Sequence, residues 1–231
     1  KYTHSHNNIG LCSSMNKAYS LTSTNFILYA HDDMYFCKNW DIFLINEIKK
    51  QNNNFYYLSG TNVSTRYGLI DYDCGSTYSD FDEKKFFNFC LEDKTPDLQS
   101  SHWAPHLIHK ELWDMIGGFN EEFNPGDGSD PDFCMKLWLS GVRIFKGVSK
   151  FKVYHFNSKT TRNSKIALNN GTKTFLFKYG FNPKFFRKHY LRGNISIIPY
   201  IGTLTNPIKN ISFYYDLIKC KLKIFYYKII N

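Results

Sequence analysis

No uninterrupted apolar run in the 231 residues approaches the ~18 needed to cross a bilayer. The nearest, residues 195–201, is broken by Ser196 and Pro199. No charged start followed by an apolar stretch marks the chain for secretion. The six cysteines (Cys12, Cys37, Cys74, Cys90, Cys134 and Cys220) form no CxxC pair. That spacing excludes a zinc knuckle or disulfide framework and fits a reducing, cytoplasmic compartment. P-loop, GxGxxG, GxSxG and HExxH patterns are all absent. Acidic residues nearly vanish from one portion: residues 146–231 hold Asp216 alone against 17 basic side chains.

Residues 1–145 carry 19 acidic and 12 basic side chains, so the net charge of +9 joins a negative portion to a strongly positive one. Hydrophobic residues at 42% and aromatics at 18% exclude a disordered chain. The length suits one domain with an appendage. Apolar spacing predicts helices over residues 10–21 and 40–50, the second capped by Asn39. The continuous apolar run 24–30 reads as a strand covered on both faces, as in a parallel sheet. Further strands are expected at 55–59, 102–108, 142–145 and 151–156. Residues 62–101 read as a long irregular segment. Helices are expected at 110–116, ended by Gly117-Gly118, at 130–140, and in a tail over 207–230. Residues 175–190 read as helical in part. Alternating strands and helices predict an α/β fold with a mostly parallel central sheet flanked by helices.

Three constellations carry possible chemistry. His31-Asp32-Asp33 follows the first strand, where open α/β sheets bind ligands, and its carboxylates suit Mg²⁺ or Mn²⁺. Read alone, it also describes a polar strand exit facing water. Ser129-Asp130-Pro131-Asp132 opens a helix. Ser129 and Asp132 read as a capping-box-like pair, and Asp130 as either part of that cap or a general base held at a loop–helix junction. His155 ends a strand and is followed by Lys159 and Arg162, a metal ligand beside a phosphate-binding loop or a backbone-bonded histidine. His102, His106 and His109 recur at helical spacing, but Pro105 argues against a helix and so against a zinc site there.

Taken in order, these pieces resemble family 2 glycosyltransferases of the GT-A fold. The carrying segments are Asn7…Gly10…Asn16-x-Ala18, the strand into His31-Asp32-Asp33-Met34, Gly117-Gly118-Phe119-Asn120-Glu121-Glu122-Phe123, Ser129-Asp130-Pro131-Asp132-Phe133 with Lys136-Leu137 and Gly141, and Val153-Tyr154-His155. The resemblance spans about residues 7–160. It implies a GT-A-like (Rossmann-like) catalytic domain over 1–160, followed by a basic aromatic extension over 161–206 and an amphipathic tail helix over 207–231. Asp33 falls on the last carboxylate of the family's DxD motif, a metal ligand, with Asp32 beside the nucleotide ribose or the sugar. His31 replaces the motif's first acid. Asp130 falls on the catalytic base, and Ser129 stands where a glutamate is usual, with Asp132 as its partial substitute. His155 falls on the residue that completes metal coordination. Lys159 and Arg162 would clamp the diphosphate, Trp103 would stack on an acceptor sugar or pack in the core, and residues 62–101 would form the acceptor wall. The family's opening strand, of the form VSVIIPTYN, has no counterpart here. The resemblance therefore implies an N-terminally incomplete sheet, or a partner segment that completes it.

The implied reaction moves a sugar from a nucleotide-diphosphate sugar to a hydroxyl of a glycan or lipid-linked acceptor, with Mn²⁺ or Mg²⁺ and inversion at the anomeric carbon. Two rival classes are a metal-dependent phosphoester hydrolase built on Asp32, Asp33, Asp130 and His155, and a nucleic-acid-binding protein using the basic C-terminal third. The hydrolase leaves the Gly117-Gly118-Phe119 segment unexplained. The nucleic-acid reading has charge but no recognisable binding motif. In the tail, Ile211, Tyr214, Ile218, Leu222, Phe225 and Ile229 make a helical stripe beside lysines. The pattern suits either an interfacial helix on an anionic membrane or a terminal helix packed on its own domain.

Overall fold

A computed structural model describes residues 1–65, 68–100, 103–156, 169–193 and 197–230. The chain is α/β. Its sheet contains β1 (Phe26–Tyr29), β2 (Met34–Phe36), β3 (Tyr56–Ser64), β4 (Ile70–Asp71), β5 (Leu98–Gln99), β6 (His106–His109) and β7 (Ile144–His155). The spatial order is β1-β6-β3-β7-β2, with β4 paired to β3 and β5 to β7. The sheet is mixed, which corrects the expectation of a mostly parallel one. β3 runs parallel to β7 and β4, whereas the β1–β6, β6–β3, β7–β2 and β5–β7 pairs are antiparallel. The apolar run in β1 misled because β1 is an edge strand: Phe26 is exposed while Ile27 and Tyr29 are buried.

β1 and β2 sit at opposite ends of this order, yet only residues 30–33 join them. Four strand spacings measure ~19 Å, and the five residue steps from Tyr29 to Met34 reach ~17 Å at most. The sheet must therefore curl until the end of β1 meets the start of β2. His31-Asp32-Asp33 lies at that closure.

β3 is buried along its whole length, as the central strand should be. The two strands expected at 142–145 and 151–156 are one strand, β7. Its pairing with β3 jumps from Gly60↔Val148 to Thr61↔Lys152, so residues 149–151 bulge out and split the apolar pattern. The segment 62–101 is not one irregular loop. It holds the end of β3, β4, β5 and a helix, Glu83–Glu92, whose N-terminus is capped by the Asp82 carboxylate accepting from Lys85 N.

The helices are α1 (Leu11–Tyr19), α2 (Trp40–Ile48), α3 (Glu83–Glu92), α4 (Lys110–Ile116), α5 (Ser129–Leu139), α6 (Gly171–Tyr179), α7 (Pro183–Phe185), which runs into a π-helical stretch Phe186–Tyr190, and α8 (Ile211–Ile229). Asn39 precedes α2 in a left-handed conformation and makes no side-chain cap, contrary to expectation. One sheet face packs on α1, α4, α5, α6 and α8 through residues such as Tyr29, Trp113, Phe133, Phe145, Phe175 and Phe213. This one core includes residues from beyond 160 and 206, Phe175 and Phe213 among them. α2 and α3 cover the other face, over Tyr56, Leu58 and Phe151 and over Val63 and Tyr154.

Two sequence segments a hundred residues apart interlock. The Asn16 side chain accepts from Phe119 N and donates to Phe119 O, both at 2.9 Å. Asn124 Oδ1 accepts from Cys12 N at the start of α1. Gly118 adopts φ +65°, and a Cβ there would meet Asn16 Oδ1 at 2.5 Å. Only glycine permits this approach, which explains the second glycine of the Gly117-Gly118-Phe119 segment.

Candidate metal centre and neighbouring carboxylate

The connection between β1 and β2 is stapled to the end of β7. Phe156 N donates to Asp33 O at 3.0 Å, and His155 pairs with Met34 across the β2–β7 ladder. These backbone bonds bring His155 to His31 and Asp33 across more than 120 residues of sequence. One ligand atom from each of the three side chains lies within 4.8 Å of the others. The His31 and His155 rings are 5.8 Å apart. His155 Nε2 lies 3.1 Å from Asp33 Oδ1, an ion-pair contact, and this buried nitrogen makes no hydrogen bond. Burial, then the neighbouring His155, holds the His31 imidazole below its usual pKa against the opposing pull of Asp33 and Asp32. A neutral imidazole is the form that binds a cation.

The residues that hold the two imidazoles fit a metal as well. Asn62 Nδ2 lies 3.3 Å from His155 Nδ1, and Asn62 Oδ1 is buried without a partner. Turning this amide over pairs Oδ1 with Nδ1–H of His155 and leaves the Nε2 lone pair facing Asp33. Tyr29 Oη lies 2.8 Å from His31 Nε2 and fixes that ring in the same way. A donor set of two imidazoles and one carboxylate suits Mn²⁺ better than Mg²⁺, which prefers oxygen alone.

Asp130 stands in the first turn of α5, after Gly128 in a left-handed conformation. The residue is half-buried, but its Oδ1 is enclosed and unpartnered, and burial pushes the carboxyl from 3.8 up to about 7. Tyr29 feels the charge of Asp130 and of the candidate metal centre together. Burial first, then Asp130, Cys12 and Asp33, raises the Tyr29 phenol, so both carboxylates act on one side chain whose hydroxyl contacts His31.

The remaining predicted residues divide. Asp32 is exposed in the same turn as His31 and Asp33. Ser129 is not a helix cap: it is the first residue of α5, and its Oγ donates to Gly126 O at 2.7 Å. Asp132 is not half of a capping box. It is fully buried, and its Oδ1 accepts from Lys178 Nζ at 2.8 Å and Tyr179 Oη at 2.7 Å, which ties α6 to α5. Trp103 is half-buried and packs against the core, with the Arg187 guanidinium 4.6 Å from its ring centroid. Beside it opens a cavity of about 530 Å³ that Lys184, Arg187 and Arg192 also line. Lys159, Arg162 and His102 lie outside the described residues.

Sequence reasoning missed His31 as a third ligand, together with Tyr29, Asn62 and Arg187. The strand period places Tyr29 and His31 two residues apart on one side, a signal that was available. Nothing local marks Asn62 or Arg187, whose partners come from distant elements. The chain matches no protein-family model and no curated protein.

Proposed function

We propose that the chain is a metal-dependent, inverting glycosyltransferase of the GT-A type, acting on a nucleotide-diphosphate sugar and an acceptor hydroxyl. One observation carries the reading: His31, Asp33 and His155 converge at the end of the curled sheet, and a desolvated carboxylate, Asp130, acts electrostatically on Tyr29, whose hydroxyl contacts His31. Bound there, a divalent cation supplies neutralisation of the charge that develops on a departing diphosphate.

The chain's own residues supply the rest. Asp130 Oδ1 lacks a hydrogen-bond donor, and an acceptor hydroxyl fills that role. As its oxygen bonds to the anomeric carbon, the bond from that carbon to the diphosphate oxygen breaks on the opposite side, and the hydroxyl proton passes to Asp130. A pKa near 7 suits a base that works at neutral pH. Tyr29 and Asn62 hold the two imidazoles in their ligand tautomers. Trp103, under Arg187, provides the acceptor side with an aromatic surface beside a positive cavity. Lys159 and Arg162 keep their proposed place as a clamp on the diphosphate.

The test is a screen of nucleotide sugars with Mn²⁺ on the full-length protein, reading nucleoside diphosphate release. At least one donor is expected to turn over and to stop when Mn²⁺ is chelated. Failure of every donor overturns the reading, and phosphoester cleavage without sugar transfer would put the hydrolase in its place. Arg187→Ala is expected to raise the acceptor KM several-fold with little change in donor affinity. An unchanged acceptor KM would remove Arg187 and its cavity from acceptor binding.

A further inference from the structure

α8 presents two apolar faces, and only one of them is covered. Phe213 and Cys220 are buried, and Leu217, Ile224 and Tyr227 pack beside them against the domain. Ile211, Tyr214, Ile218, Leu222, Phe225 and Ile229 form the opposite stripe, and every one is between 50% and 89% exposed. The amphipathic pattern in the tail therefore is not the face that packs on the domain. Domain packing takes a second set of residues.

Charge frames the exposed stripe. At ~100° per residue, Lys219 falls along one border of it and Lys221 and Lys228 along the other, while Lys223 lies nearer the packed side, its Nζ 5.6 Å from the Tyr227 ring centroid. Asp216 is the helix's acidic residue. It lies toward the packed side, where its carboxylate accepts from Lys188 Nζ at 2.7 Å and lies 2.9 Å from His189 Nε2. Those contacts hold it below the usual carboxylate range, the Lys188 bond foremost. The outward surface is therefore an apolar strip flanked by lysines, and Lys188 and His189 engage the helix's acidic side chain.

We infer that α8 is an interfacial anchor that lies flat on an anionic membrane surface. The helix spans ~28 Å at 1.5 Å per residue. No described helix is long and apolar enough to cross a membrane. Lying in the interface, the Ile, Leu and Phe side chains enter the acyl boundary while the lysine stems reach outward to lipid phosphates. A second copy of the chain is a poorer occupant, because facing two such stripes brings their flanking lysines together. Anionic headgroups complement both borders at once. This inference goes beyond the proposed reaction and does not depend on it.

The experiment is co-sedimentation of the full-length protein with vesicles of phosphatidylcholine alone or mixed with phosphatidylglycerol, at ~0.1 M salt, where surface charges still act over ~10 Å. The protein should sediment with the anionic vesicles and bind neutral ones at least tenfold more weakly. Leu222→Glu with Phe225→Glu should abolish binding. Lys219→Gln, Lys221→Gln and Lys223→Gln together should weaken it about a hundredfold, since each lysine contributes roughly 1 kcal/mol at such a surface and each 1.4 kcal/mol is about tenfold. All five side chains are exposed, and circular dichroism checks that both variants fold. The proposal is overturned if the wild type stays in solution with anionic vesicles, or if either variant binds as the wild type does. It is also overturned if sedimentation equilibrium finds a dimer that the Leu222/Phe225 variant dissolves.

Discussion

Asp130 makes the sharpest statement at the scale of a single residue. Burial raises its carboxyl from 3.8 to about 7. A base must be ionised, so kcat/KM for transfer should rise about tenfold per pH unit below 7 and level above it. Stability moves the other way. The folded state holds the proton more tightly than the unfolded chain, so this contribution is full below pH ~3.9 and is lost as pH rises through 7. Asp130→Asn should remove both trends. It should lower kcat by a hundredfold or more while leaving nucleotide-sugar binding near wild type, as read by kinetics and calorimetry. Loss of donor binding instead would make Asp130 a structural residue. His31 makes a second residue-scale claim. His31→Ala should weaken Mn²⁺ binding 10- to 100-fold, within the range for a lost ligand or its support, whereas Asp32→Asn should change it little. Equal effects at the two positions would mean that the whole turn, and not the imidazole, governs the metal.

Among the elements, α2 and β7 are joined by a buried cation. Lys146 of β7 lies 2.5 Å from Glu47 Oε1 in α2 and 2.8 Å from Asp97 Oδ2 ahead of β5. Burial pulls Lys146 toward the neutral form, yet the hydrogen bonds from Asp97 and Glu47 hold its pKa above the ordinary value. Lys146→Ala takes from buried Glu47 its buried partner and leaves it Lys50, whose Nζ lies 2.8 Å from Oε2. It should destabilise the fold by about 3 kcal/mol in denaturant unfolding, and a loss below ~1 kcal/mol would show that Lys50 alone suffices for Glu47. The sequence made α1, α2, α4 and α5 legible because each is short, periodic and bounded by a recognisable stop. It did not reveal strand direction, since a run such as Phe26–Tyr29 looks the same at an edge as in the middle. Nor could it separate a bulge from a break, which is why β7 read as two strands. α3 escaped because its apolar anchors, Phe86 above all, sit among acids, lysines and asparagine that read as loop.

For the molecule as a whole, the charge asymmetry has a spatial meaning. The positive C-terminal portion supplies the flanking lysines of α8 and the Arg187 side of the Trp103 cavity. The candidate metal centre joins Asp33 from the negative portion to His155 at the edge of the positive one. The order of the motifs made Asp33 and His155 legible as a pair. Their exact company, His31, Tyr29 and Asn62, needed the curl of the sheet to bring it together. The most direct measurement of the central claim is calorimetric titration of Mn²⁺ into the full-length protein, with and without saturating nucleoside diphosphate, for wild type, Asp33→Asn and His155→Ala. The account predicts one Mn²⁺ per chain, bound more tightly when the nucleoside diphosphate is present, and both effects lost in each variant. Mn²⁺ binding that ignores the nucleoside diphosphate, or that survives both substitutions, would contradict it.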